Sequence, residues 1–170
     1  MKWIGALIII FSATAIGRLL ALQFRERPRQ LRQLKSALQS LETEITYGLS
    51  PIGEAAKRLS EQLPNPSKRF FSLFSDKLAQ GEASLKEAWD ETLKEFWPST
   101  AMKKNELEIM KQFGATLGLS DRENQQKQIR LALSHLEREE TEARAAQNQY
   151  EKMLKSLGLL AGLLIAIILF

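Results

Sequence analysis

The chain opens with twenty consecutive residues, Trp3 to Leu22, interrupted by a single charge at Arg18. It closes with fourteen, Leu157 to Phe170, that include no polar residue. About twenty apolar residues in a helix cross a hydrocarbon core. The first run has that length. The second reaches it when Met153 and Leu154 are added and Lys155 extends its amine to the headgroups. Between them the pattern changes from continuous to periodic. Leu31, Leu34, Leu38, Leu41 and Ile45 recur at alternating spacings of three and four, one stripe of an amphipathic helix. That helix continues from the first apolar run, with Pro28 as a kink or first-turn residue.

Breakers then divide the middle of the chain. Gly48 ends the first helix, and Ser50-Pro51 starts the next, Ser as cap and Pro at the first helical position. Its inner face is Ile52, Ala55, Ala56, Leu59 and Leu63. Pro64-Asn65-Pro66 interrupts. A third helix runs over 67–80 with Phe70, Phe71, Phe74 and Leu78 inward, and Gly81 suits the position after its end. Ser84 and Glu87 form a capping box for a fourth helix over 85–97, with Leu85, Ala88, Trp89, Leu93 and Phe96 inward. Pro98 stops it. A fifth helix over 104–117 uses Leu107, Met110, Phe113 and Leu117. Ser120-Asp121-Arg122-Glu123 is a second capping box. It opens a sixth helix with no breaker before Gly158 and a stripe of Ile129, Leu133, Leu136, Ala143, Tyr150, Leu154 and Leu157. Glu140 and Gln147 fill the intervening stripe positions. No strand-like alternation persists and no solenoid repeat is present. The predicted fold is all-α: a bundle of about six helices over 25–152, flanked by membrane-spanning helices over 1–24 and 153–170.

Charge orients this arrangement. Arg25, Arg27, Arg29, Arg32 and Lys35 follow the first apolar run against one acid, Glu26, and Lys152 and Lys155 flank the second on its bundle side. Basic residues are retained on the cytoplasmic side, so the bundle is expected in the cytoplasm and both termini outside. A cleaved leader is the rival reading, with Lys2 as its basic start and Ala13-Thr14-Ala15 as its cleavage site. The apolar run continues past that site to Leu22 and a basic segment follows, which favours a retained helix. The basic excess is expected to face anionic headgroups. Residues 41–152 carry 16 Lys and Arg against 19 Asp and Glu; a net charge of −3 does not suit a nucleic-acid partner.

Little in the chain supports catalysis. There is no cysteine and only one histidine, His135, which excludes disulfides, zinc-thiolate sites and thiol catalysis and gives little support to a His-rich metal site or a Ser-His-Asp triad; His135 reads as a boundary residue beside its helix stripe. No phosphate-binding loop of the G-x-x-x-x-G-K-[ST] kind occurs, and no G-x-G-x-x-G. The close acidic pairs Glu42/Glu44, Asp90/Glu91 and Glu139/Glu140 are expected on solvated helix faces, because neighbours at such spacings do not face each other. Trp89, Trp97 and the phenylalanines are spaced as core residues. No cofactor or metal is expected. In the apolar runs, Ala13, Gly17 and Ala21 are four apart, as are Gly158, Gly162 and Ala166. Small residues so spaced let helices pack closely in lipid.

An ordered series of short segments extends the reading. Leu41-Glu42-Thr43-Glu44-Ile45 is followed by Tyr47, Ser50-Pro51 and Glu87-Ala88-Trp89. Phe113-Gly114, Leu117-Gly118, Ser120-Asp121 and Gln125-Gln126-Lys127 come next, then Leu157-Gly158 leading into the final apolar run. In this order and spacing the chain resembles the stage III sporulation protein AB family of endospore-forming bacteria. That family's helical domain is similar in turn to the cytoplasmic domains of the F-type platform protein of type II secretion and type IV pilus systems. Platform proteins carry two such domains, and this chain has one.

The resemblance implies a non-catalytic membrane component of the secretion-like complex between mother cell and forespore, placed in the mother-cell membrane. Its implied partners are a cytoplasmic hexameric ATPase and other membrane subunits, with self-association possible. A membrane-tethered regulator acting through a coiled coil of residues 121–155 is the alternative. The polar residues within the resembling segments, Glu42, Glu44, Asp121, Gln125 and Gln126, are the candidate partner surface; capping and surface solvation are the other account of them.

Overall fold

The computed structural model describes the backbone of residues 2–47, 51–81, 84–118 and 122–169, and the side chains of 24–47, 51–81, 84–118, 123–150 and 153. Six α-helices make up these residues: α1 (Lys2–Tyr47), α2 (Ile52–Gln62), α3 (Ser67–Ala79), α4 (Leu85–Phe96), α5 (Lys104–Gly114) and α6 (Arg122–Leu169), with a 3-10 turn at Trp97–Ser99 and no strand. Both long helices are unbroken. α1 continues through Pro28, whose missing N–H removes one intrahelical bond without ending the helix. Among the described side chains no helix is long and apolar enough to cross a membrane. The apolar runs Trp3 to Leu22 and Leu157 to Phe170 lie outside those side chains, as do the small residues Ala13, Gly17, Ala21, Gly158, Gly162 and Ala166.

Among the described residues the predicted stripes are mostly buried, with Leu107 and Leu133 among the half-buried positions and Tyr150 exposed. Leu31, Leu34, Leu38, Leu41 and Ile45 of α1 are all buried, as are Ala55, Ala56 and Leu59 of α2, Phe70, Phe71 and Phe74 of α3, and Ile129, Leu136 and Ala143 of α6. The small Ala55-Ala56 pair lets α2 lie against the phenylalanine-rich α3. Trp89 stands at the centre of the α3–α4–α5 packing, fully buried. Its ring meets Phe70, Phe74 and Phe113 edge to face, at centroid separations of 4.9, 5.0 and 5.3 Å. Its indole N–H donates to the Met110 carbonyl at 2.8 Å, which satisfies the one polar group the burial would strand.

Local signals set the ends. The Ser84 hydroxyl accepts from the Glu87 N–H while the Glu87 carboxylate accepts from the Ser84 N–H at 2.9 Å, the expected capping box. Hydrogen bonds donated to the Glu87 carboxylate by the Ser84 N–H and, at 2.8 Å, by the Ser84 hydroxyl hold this carboxyl below the ordinary carboxylate range. Gly81 and Gly118 take positive φ, +71° and +76°, the left-handed turn that ends a helix at little steric cost. One start differs from expectation. Pro51 is the cap of α2 and not its first residue, since its carbonyl accepts from the N–H groups of Glu54 and Ala55. Ser50, expected as that cap, and Ser120 with Asp121 lie outside the described residues.

Candidate functional site

The two long helices run antiparallel and are joined by charge. Lys35 donates to Glu140 at 2.9 Å and also pairs with Glu137. Arg32 lies 3.8 Å from the Glu140 carboxylate, and Arg144 closes on it from within α6. Further along, Arg130 of α6 donates to Glu42 of α1 at 2.9 Å. At the opposite end, beside the apolar runs, Phe24 stacks on Tyr150 with centroids 3.6 Å apart. The apolar ends of α1 and α6 therefore leave the bundle from the same side.

Beneath that stack lies a buried ionic centre. Arg27, 5% exposed, donates from Nε to Glu106 at 2.7 Å and from a terminal nitrogen to Glu139 at 2.9 Å. Glu106 is fully buried, and its second oxygen accepts from the Lys103 N–H at 2.8 Å, capping α5. Three helices thus meet at one guanidinium. Nearby, the Gln30 side-chain oxygen accepts from the Ala101 N–H at 2.8 Å. The start of α5 and the segment before it are tied to α1 within two turns of its apolar stretch. A buried pair of this kind contributes little net stability over apolar packing, but losing one partner strands the others. Its chemistry is positional. Among the described residues no group of three His, Asp or Glu could hold a metal ion.

Two expectations are corrected here. Glu139 and Glu140 are not on a solvated face: both are buried, at 3% and 2% exposed, because cations of α1 neutralise them. For Glu140, burial alone would raise the carboxyl pKa, but hydrogen bonds and charge from Lys35 and Arg144 bring it below the ordinary range. The basic cluster after the first apolar run is only partly turned toward the bundle: Arg27 and Lys35 are largely covered, while Arg29 and Arg32 stay more than half exposed. Arg27, Arg32 and Lys35 face carboxylates of the bundle, and Arg29 lies 3.2 Å from Glu26.

The candidate partner residues gather at the other end. Glu42 pairs with Arg130, and Glu44 accepts from Arg58 of α2 at 2.5 Å; that bond raises the guanidinium pKa further. Gln125 is buried, Gln126 half-buried, and Asp121 lies outside the described residues. The antiparallel register brings the end of α1 level with the start of α6, so Glu42, Glu44, Gln125 and Gln126 share one end of the bundle. The two glutamates there act as struts between helices. Tyr47 beside them is 78% exposed. His135 is exposed at the edge of a small hollow between α5 and α6. A larger groove, about 740 Å3, runs between α4 and α5. Sequence reasoning found neither the ionic centre nor the groove. The centre had left a signal, since Arg27 and Glu106 each stand one step before an apolar stripe and Glu139 falls inside one.

The family model for stage III sporulation protein AB matches residues 2–170. Stage III sporulation protein AB of Bacillus subtilis (strain 168) is 50% identical over 169 residues, 99% of each chain. A solved structure of a stage III sporulation protein AB is similar in fold, with a TM-score of 0.69 and 52% identity, covering 73% of this chain and 98% of that one.

Proposed function

The chain belongs to the stage III sporulation protein AB family, and from that premise we propose that it is a non-catalytic platform of a sporulation complex, held in the mother-cell membrane around the forespore by both ends. The observation that carries this is the Phe24–Tyr150 stack. It joins two continuous helices next to the apolar run of α1 and about two turns before that of α6, which supports reading the apolar ends as a paired anchor with the bundle on one side of it. The small residues Ala13, Gly17 and Ala21, and Gly158, Gly162 and Ala166, suit close packing of these helices with each other or with partner helices in lipid. The far end of the bundle, with Tyr47, Glu44 and Gln126, lies about 35 Å from Phe24 along α1 at 1.5 Å per residue. That end is the docking face for a cytoplasmic hexameric ATPase, and the anchor meets the other membrane subunits.

The reading in which residues 121–155 act alone as a coiled coil finds less support. Ile129, Leu136 and Ala143, its apolar seam, are already buried within this bundle.

Cysteine labelling and co-purification test the proposal together. A cysteine placed before Lys2 reacts with an impermeant thiol reagent in intact mother cells, and Ser99→Cys does not. The full chain retains the ATPase on an affinity column, and Tyr47→Ala loses it while keeping its melting curve. Labelling of Ser99→Cys in intact cells, or retention of the ATPase by an isolated segment of residues 121–155, contradicts the proposal.

A further inference from the structure

The groove between α4 and α5 shares no lining residue with the ionic centre or with the candidate partner residues. Leu107, Leu93 and Trp97 line its floor, and Lys86, Lys94 and Lys111 stand on its rim with Asp90 as the one acid. Among the described residues neither Lys86 nor Lys94 has a carboxylate within ion-pair distance, and Lys111 has only Glu108 of its own helix at 3.4 Å. A bundle whose sequence is net acidic thus concentrates cations around an apolar trough. Lys86, Asp90 and Lys94 follow one face of α4 and Trp97 extends it at the start of the 3-10 turn, so the trough is about 16 Å long at 1.5 Å per residue. Such a length holds about three turns of another helix. The walls are helices with their backbone groups already paired, so an extended peptide finds no edge to join. A third helix can lay its side chains into the ridges of α4 and α5.

We propose that this groove takes an amphipathic helix of a partner protein, apolar on the face it buries and acidic along both flanks. The carboxylates meet Lys86 and Lys94 on one wall and Lys111 on the other, while apolar anchors one turn apart fill the trough above Leu107. The chemistry recognised is that of the helix, whichever subunit carries it, and it does not depend on the membrane arrangement or on the ATPase.

Fluorescence anisotropy tests it, with the full chain in a non-ionic detergent and a labelled designed peptide as probe. The peptide is a stapled helix with leucines on one face and glutamates flanking them; its control has lysine at every glutamate. The glutamate peptide binds and the lysine peptide does not. The double variant Lys86→Glu, Lys94→Glu weakens the glutamate peptide roughly tenfold or more, as the loss of interfacial charge pairs does, and gains affinity for the lysine peptide. Both lysines are exposed, and an unchanged melt verifies the fold of the variant. Equal binding of the glutamate peptide to the variant, or no binding to the parent chain, overturns the proposal. So does a loss of self-association in the variant without peptide binding, which assigns the groove to a second copy. A dye on Gln112→Cys that responds to phosphatidylserine vesicles and not to the peptide assigns the groove to lipid, and overturns the proposal as well.

Discussion

Behind the Trp89 indole, Gly114 leaves the space that the ring occupies. A Cβ at Gly114 would overlap the indole at Cδ1 and lie 2.8 Å from Cγ, so Gly114→Ala forces the ring or α5 to move. Overpacking of this kind costs about 1–3 kcal/mol. Trp89→Ala costs about 3–5 kcal/mol, a total that includes leaving the Met110 carbonyl without its donor. Thermal denaturation of both variants measures the two effects, and the order expected is Trp89→Ala below Gly114→Ala below the parent chain. A Gly114→Ala protein that melts with the parent would mean the glycine serves no packing role. Trp89 was legible in the sequence because its spacing to Leu85, Leu93 and Phe96 places it on an apolar stripe. The need for glycine at 114 was not, since nothing along the chain says which residue of α5 the indole will lie against.

Between elements, charge does the specifying. Arg27 joins α1 to α5 and α6, and Glu140 joins α6 to Lys35 of α1. Arg27→Met leaves Glu106 and Glu139 buried without their cation, a loss of about 3–5 kcal/mol where one partner of a buried pair is removed. Arg27→Met combined with Glu106→Gln and Glu139→Gln recovers part of it, which chemical denaturation of the three proteins measures; no recovery would show that Arg27 contributes by shape alone. Acid probes the same joints. The Glu140 carboxyl is below the ordinary range when folded, so the unfolded chain binds its proton more tightly. The stabilisation is complete above the unfolded value of about 4.3 and disappears as pH falls through the lower, folded value. Glu140→Gln is therefore less stable than the parent at neutral pH, and the gap between their melting temperatures narrows as pH falls below the unfolded value and through the lower, folded one. A gap independent of pH would contradict this. The helices and their inner faces were readable from periodicity alone. The ionic joints were not, because periodicity marks a charge at a stripe position without saying which opposite charge another helix will bring to it. A stripe runs 27, 31, 34, 38 in α1, 106, 110, 113, 117 in α5 and 132, 136, 139, 143 in α6, and each carries one charge exposed to the others.

For the molecule as a whole, α1 and α6 are single helices that belong both to the bundle and to the apolar ends. Composition showed where those ends begin. It did not show that both leave from one side, which follows from the antiparallel register of Phe24 with Tyr150 and Glu42 with Arg130. A rod without joints also transmits rotation. One residue added between Gln23 and Phe24 leaves the bundle untouched but turns everything before it by about 100° and lifts it by 1.5 Å. Seven added residues turn it by almost two full circles, falling about 20° short. Single-alanine insertion is therefore expected to impair complementation of a sporulation-defective deletion far more than insertion of an alanine-leucine heptad, although the heptad displaces the apolar stretch further. Equal impairment by both would mean that only distance counts. If angle counts, the spacing between bundle and apolar end can change along a lineage only in near-whole turns.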